Sequence, residues 1–414
     1  MIQITRMAPA KDVFSKDKPE TFTPAIVPNV PINGYAGFLR PGDDKKAREL
    51  GDRCAKEVNE NFIADFERSI EWCERNGEEN PDLMVHVSTY ILIDGMIYMT
   101  YYANNGTVHE DPRCQAARLA FCPIDNPKDM TIVELQKVGD PLDGYEICHL
   151  YDTILMHKGG DELYLMWTAA PKQGENEFNY YRFFCTFNIR TKTLGPVRPN
   201  RFRVGEIEND FSISGMQAAL AANGIAHKSM WSDIGIMQKL SARVENGEIW
   251  YYSGAYSGNF NCLIKSRDLI SWEYVSAPDF DNNSLWENAV YVLEDKCFYF
   301  VRQQECGQGF LTYYDLKEKT WAQPVLIADA QSRSDFILYR DQLLLIHAPI
   351  DRNGFGMVRI NRSDIAQSEV VFVADMKSSL FYPYVSVYGD EAYISYTVNR
   401  QHIRLSRFDL RNYV

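Results

Sequence analysis

The sequence predicts an all-β protein folded as a six-bladed β-propeller, with five blades as the alternative count. Three observations lead there. From residue 82 onward, hairpin-like stretches recur with a period of roughly 40 to 60 residues, the mark of a repeat architecture. Each repeat offers two strand pairs, and repeated four-stranded units are what a propeller is made of. Aromatic residues make up 13 % of the chain, led by 25 Tyr and 22 Phe, which suits pleated surfaces and sugar-stacking sites better than helical bundles.

The chain opens differently from the repeats. MIQITRM alternates like a strand, and PETFTPAIVPNVPINGYAGFLRP is Pro-rich and extended, able to lie along a surface but not inside a sheet. One amphipathic helix is expected next. Ala47, Leu50, Cys54, Val58, Phe62, Phe66, Ile70 and Cys73 recur at steps of three or four, Asp43 and Asp44 sit at its start, and Gly77 stops it. Residues 1–81 therefore read as a strand, an extended segment and a helix that pack on or close the propeller of residues 82–414.

The six hairpins read MVHVSTYILIDGMIYMTYY, ICHLYDTILMHKGGDELYLMW, GIMQKLSARVENGEIWYYSG, LWENAVYVLEDKCFYFV, SRSDFILYRDQLLLIH and FYPYVSVYGDEAYISYT. Each is a pair of apolar or alternating strands around a polar or Gly turn. A second strand pair follows each of the first five. The sixth stops early at QHIRLSRFDL, and its missing outer strand is expected from MIQITRM. Between the second and third repeats, Gly205 to Ile236 forms a long insertion, read as a lid or binding loop with a short helix capped by Ser214 and ended by Asn223 and Gly224.

Composition narrows the function. A net charge of −13 argues against a nucleic-acid or anionic-membrane partner, because phosphate binding needs a basic face. The nine cysteines are scattered without CxxC or CxH spacing, so reduced thiols are expected rather than a zinc site or a disulfide framework. No metal or cofactor is expected, and the oligomeric state is not legible. No signal-type apolar segment and no long apolar run is present, which gives a cytoplasmic location as the expectation.

In a propeller the first strand of each blade lines the central channel, so residues just ahead of its apolar run ring one mouth. Counting back seven from the turn positions Ile93, Glu245, Glu294, Arg340 and Gly389 gives His86, Gln238, Glu287, Arg333 and Tyr382. In the second repeat the longer KGGD turn leaves His149, Leu150 and Tyr151 as equivalents. Glu, Arg, Tyr and His converging on one axis suit a polar, acidic sugar. Trp286 and Tyr384 are candidates for sugar stacking, and the insertion adds Trp231 and Asp233 as binding residues.

These positions resemble those of the sialidase (neuraminidase) superfamily of six-bladed propellers. Its members carry a Glu entering blade four, an Arg about sixteen residues later, an Arg in blade five and a nucleophilic Tyr entering blade six, and this chain has Glu287, Arg302, Arg333 and Tyr382 in that order. The segment SRDLISWE, Ser266 to Glu273, looks like a one-residue-short Asp box of that superfamily. Where the family has an Arg in blade one, this chain has His86, which marks it as divergent. The resemblance implies that Glu110 or Asp111 in ANNGTVHEDPRC is the acid/base.

The chemistry of the residues agrees with that implication. Glycosidic cleavage needs an acid for the leaving oxygen and a nucleophile or base opposite it. A phenol, ordinarily titrating near 10, attacks only when a neighbour takes its proton, which Glu287 would do for Tyr382. A sialidase-like glycoside hydrolase acting on an acidic or polar sugar is thus the expectation. A polysaccharide lyase using His86, His149, Tyr382 and Arg333 on uronates is the alternative, followed by a non-catalytic carbohydrate-binding propeller.

Overall fold

The computed structural model describes residues 37–39, 41, 44–173, 178–231, 234–237, 239–278, 285–303, 308–330, 332–349 and 351–414. Strands hold 54 % of the residues against 12 % in helices, and the sheets are those of a β-propeller. The predicted class therefore holds; six sheets, with five counted as blades, keep both expected counts standing. The chain divides into two compact units. One is Glu67–Ala277, and the other is Pro278–Val414 with the described residues up to Phe66. Each contains three of the sheets.

In the first unit, Met84–Ile93 and Met96–Asn104 form the opening hairpin of a four-stranded sheet completed by Ala116–Pro123 and Thr131–Lys137. Its turn is Asp94 and Gly95, both left-handed (φ 50° and 75°), as a two-residue hairpin on twisted strands requires. Tyr145–Met156, Glu162–Pro171 and Tyr181–Asn188 build the second sheet, and Glu248–Ser257, Phe260–Ser266 and Ser271–Ser276 the core of the third. A buried ion pair stitches the second sheet: the Arg182 guanidinium donates to Asp152 and to the Thr168 hydroxyl, each at 3.0 Å. The segment Ser266 to Glu273 contains a side-chain-capped turn. Asp268 Oδ1 accepts from the amides of Ile270 (2.8 Å) and Ser271 (2.9 Å), while the Trp272 side chain is fully buried beneath it.

The helix of the insertion runs Ile213–Ala222 and is capped by Ser212, whose hydroxyl accepts from the Gly215 amide at 3.0 Å. Ser214, the expected cap, instead hydrogen-bonds Asn179 at 2.8 Å.

The second unit has the sheets of Leu285–Leu293, Lys296–Gln303, Gly309–Asp315 and Val325–Ile327; of Asp335–Tyr339, Gln342–His347, Gly354–Arg359 and Glu369–Asp375; and of Leu380–Tyr388, Glu391–Val398 and His402–Asp409. From the Pro-rich segment, Gly37–Leu39 adds a parallel edge strand to Val325–Ile327. Helix α1, Lys45–Glu60, starts at Asp44, whose carboxylate accepts from the Ala47 amide at 3.0 Å. It buries Cys54, Ala55 and Val58 in an apolar cluster with Phe355, Phe372, Phe408 and Tyr413. Gly51 is required there, since a Cβ would lie 1.9 Å from the Val373 carbonyl oxygen.

Two expectations for the N-terminal region are corrected. The single helix running to Gly77 is two helices, α1 and α2 (Ile70–Asn76), and Phe62–Asp65 between them is a strand. The run of three- and four-residue steps continued through that strand by coincidence: Phe62 and Ile70 are 48 % and 68 % exposed, so neither belongs to an apolar stripe. Gly77 does end α2, at φ 70°. Phe62–Asp65 pairs with His402–Asp409 and takes the outer position of the last sheet that was expected for MIQITRM, which lies outside the described residues.

Candidate functional site

The repeat-based count holds for three of the five positions it fixed. The turns begin at Glu294, Arg340 and Gly389 as assumed, which leaves Glu287, Arg333 and Tyr382 in equivalent places. In the first and third hairpins the ladder runs one residue further, closing with Ile93 opposite Met96 and Glu245 opposite Glu248. The equivalent there is Val87 rather than His86, and Lys239 rather than Gln238. Gln238 itself, like Asp233, lies outside the described residues.

In the second unit the four central candidates meet. Glu287 on Leu285–Leu293 accepts a hydrogen bond from the Tyr382 hydroxyl at 2.5 Å and another from Arg302 Nη1. The same Arg302 nitrogen lies 3.4 Å from Tyr382 Oη. Arg333 Nη2 stands 3.9 Å from the Glu287 carboxylate, and its guanidinium lies over the Tyr382 ring at 5.0 Å. Glu287, Arg302 and Arg333 are buried and Tyr382 is half-buried.

Local backbone form aims these groups. The ladders slip between Leu285 and Asn288 and between Phe381 and Tyr384, so Glu287 and Tyr382 each sit on a bulge. Tyr382 is left-handed at φ 53°, a conformation costing a non-glycine residue about 1–3 kcal/mol. Val87 and Asp152 take the same conformation (both φ 54°) beside slips in the opening strands of the first two sheets. The bulge is thus a repeated device, used at Tyr382 to turn a phenol toward a carboxylate.

The electrostatics follow from the packing. Burial alone would raise Glu287, but Arg302 and Arg333, with hydrogen bonds from Tyr382 and Arg302, hold it below its ordinary value. Burial pushes the Tyr382 phenol well up, and the Glu287 charge pushes it further, against the pull of the arginines. At rest the pair is a neutral phenol donating to an ionised carboxylate.

Two arginines escaped the sequence reading. Arg352 and Arg400 place their guanidiniums over the Phe381 ring at 5.2 and 5.0 Å, next to Tyr382 in the chain. They follow the ends of strands in the loops, whereas the count sampled only strand entrances.

The first unit gathers the other candidates. His86 is buried, opposite Tyr102 in the ladder and edge-on to its ring at 5.7 Å. The Tyr102 hydroxyl donates to Glu110 at 2.6 Å. His149 is stacked on Phe178 (4.4 Å), and its Nδ1 shares a 2.9 Å hydrogen bond with the Tyr180 hydroxyl. Asp111 caps the turn Pro112–Cys114 and is gripped by the Arg113 guanidinium through two 2.8 Å bonds. That grip holds its carboxyl below the usual range, a poor setting for a proton donor. Trp231 packs on Gly258, where a Cβ would come within 2.6 Å of the indole nitrogen, and Tyr384 is buried.

No protein-family model matches the chain, and no curated protein matches it in sequence. Among solved structures it is similar to the Trypanosoma rangeli sialidase in complex with sialic acid, at 13 % identity and a TM-score of 0.52, over 84 % of this chain and 57 % of that chain. It is similar also to that sialidase with 2,3-difluorosialic acid, described as a covalent intermediate, at 13 % identity and a TM-score of 0.51, over 81 % and 55 %. The chain thus spans little more than half the length of those proteins. Identity this low speaks for the propeller fold alone.

Proposed function

We propose that this protein is a carbohydrate-active enzyme, a glycoside hydrolase of sialidase-like type in which Tyr382 attacks the anomeric carbon of an acidic sugar. The 2.5 Å hydrogen bond from Tyr382 to Glu287, between Arg302 and Arg333, is the observation that carries this reading. Passing the phenolic proton to the carboxylate moves negative charge onto Tyr382 Oη without removing it from the arginines, since Arg302 Nη1 is 3.4 Å from that oxygen. The transfer is uphill at rest and becomes favourable as Oη bonds to the anomeric carbon and the glycosidic bond breaks. The leaving oxygen must take a proton from an acid on the opposite face of the sugar. Water then attacks the anomeric carbon and gives a proton to the conjugate base of that acid, the bond from Tyr382 Oη to the carbon breaks, and Glu287 returns the phenolic proton to Oη.

The test is turnover of aryl glycosides of sialic and uronic acids by the wild type and by Tyr382→Phe. A fall of about 10³-fold or more in kcat/KM, with an unchanged melting curve, is expected. Equal turnover by the two proteins would refute the assignment. The hydrogen-bonded His149 and Tyr180 favour a second reading, a uronate lyase. Its products would be unsaturated uronates, recognisable by their ultraviolet absorbance and absent from a hydrolase digest.

A further inference from the structure

The start of the long insertion helps to build a cavity that the chemistry at Tyr382 leaves unused. Its volume is about 770 Å³, and it lies wholly within the first unit. The chain crosses there from one sheet to the next: Arg198 pairs with Phe184 of the second sheet, and Arg201 with Asp210 and Ser271 of the third. Asn200, fully buried between them, pins the crossing by donating through Nδ2 to the carbonyls of Leu269 (3.1 Å) and Ile270 (3.2 Å). Asn209 Nδ2 donates to the Gly215 carbonyl at 3.1 Å and ties the start of helix Ile213–Ala222 to the end of the strand Ile207–Asp210. The hollow is thus framed by hydrogen-bonded backbone, and its size falls in the range of about 300–1,000 Å³ typical of small-ligand sites.

Its lining is polar and balanced in charge. Two arginines, Arg198 and Arg201, are matched by two aspartates, Asp143 and Asp210. Arg201 is committed to Asp210 and, at 3.4 Å, to Glu208. Arg198 is exposed, and among the described residues its guanidinium has neither a hydrogen-bond nor an ion-pair partner. Burial raises the Asp210 carboxyl against the pull of Arg201, so part of the lining is shielded from water. Phe184, Pro199 and Ile270 add apolar surface. An anion would lose to the aspartates what it gained from the arginines, and a cation the reverse. A neutral polyol meets no such conflict, because each hydroxyl donates to a carboxylate and accepts from a guanidinium at once.

We propose that this cavity is a carbohydrate-binding site for neutral pyranose units, with Arg198 and Asp143 as its hydrogen-bonding pair and the apolar side chains as the bed for the C–H face of the ring. It goes beyond the hydrolase reading and does not require it, since none of its residues belongs to the group around Tyr382. The site gives the insertion a task, holding a neutral stretch of a glycan.

Ligand-observed NMR titration tests the site without requiring turnover. The neutral probes are lactose, maltose, cellobiose and xylobiose, and the charged ones are glucuronic acid and galactose 6-sulfate. The proteins are wild type, Arg198→Ala, Asp143→Asn, Ala218→Trp and Tyr382→Phe. Ala218 is an exposed helix position on the cavity lining, so an indole there blocks the cavity and spares the polar pair. Asp143 is left-handed at φ 49°, a conformation that asparagine also adopts. Wild type is expected to bind at least one neutral disaccharide with a Kd below about 10 mM, and Arg198→Ala and Asp143→Asn to weaken it about 10-fold. Ala218→Trp should abolish that binding and Tyr382→Phe retain it, with melting curves unchanged. No neutral probe bound at that concentration, tighter binding of the charged probes, or neutral binding indifferent to both Arg198→Ala and Ala218→Trp would each overturn the proposal. Loss in Tyr382→Phe alone would place the neutral sugar in the second unit and overturn it as well. Disaccharide binding blocked by Ala218→Trp in a protein without glycosidase activity would leave the site standing and remove the hydrolase reading instead.

Discussion

Glu287→Gln tests the charge balance at the centre of the second unit. The carboxylate is 3 % exposed and lies 3.9 Å from Arg333 and in hydrogen-bond contact with Arg302. At an effective dielectric constant near 20, an ion pair at that separation is worth about 4 kcal/mol before desolvation is charged against it. Glutamine keeps a carbonyl oxygen for Tyr382 and Arg302 but leaves two buried guanidiniums without their shared counter-charge. Removing one partner of a buried pair costs about 3–5 kcal/mol, and the retained hydrogen bonds put the expected loss near the lower end, about 3 kcal/mol. The sign of the pH dependence follows from the depressed Glu287 carboxyl. An unfolded glutamate titrates near 4.3, so the stabilisation is complete above that value and disappears as the pH falls through the lower folded value. Denaturant melts of the two proteins at about pH 7, 5 and 3 should therefore show a gap that is widest at the first two and narrows at the last. A variant as stable as wild type at neutral pH would show that burying this ion cluster is a net cost, and the account of Glu287 as its organising charge would fail.

Two further substitutions check the architecture around the site. Asp268→Ala removes the carboxylate that accepts from two amides in the turn before Trp272, and about 1–2 kcal/mol should be lost in chemical denaturation, with sugar turnover unchanged. Gly51→Ala would force a Cβ to within 1.9 Å of the Val373 carbonyl oxygen unless α1 shifts; a drop of at least about 2 kcal/mol is expected, and an unperturbed melting temperature would show that α1 is not seated as described.

Much of the fold was written in local chemistry. Turn residues such as Asp94–Gly95 and the alternation around them specify hairpins independently of anything distant, which is why the propeller class and the meeting of Glu287 with Tyr382 were accessible. Failures came where a long-range pairing decided the outcome. Phe62–Asp65 reads as helix until the strand His402–Asp409 is available to pair with it. The bulges were illegible for a related reason: a one-residue slip leaves no compositional trace, so Tyr102 could not be recognised as the partner of His86 by counting from the turn. Arg352 and Arg400 carry no signature beyond being arginines in loops. Their meeting over Phe381 depends on two main-chain hydrogen bonds that no spacing announces.

The pairing of Phe62–Asp65 with the last strand also sets a timetable for biosynthesis. Asp65 waits 339 residues for Arg404, and the Glu57 carboxylate of α1 waits 356 for the Tyr413 hydroxyl that it will bind at 2.5 Å. At about 5–20 residues per second, roughly 20–70 s pass between the emergence of Asp65 and that of Arg404. During that interval Phe62–Asp65 is an edge without its native neighbour, and the apolar face of α1 has no Phe408 or Tyr413 to cover it. Closure of the last sheet therefore comes long after Phe62–Asp65 has emerged, and a nascent chain halted anywhere before His402 would expose a strand edge to other chains.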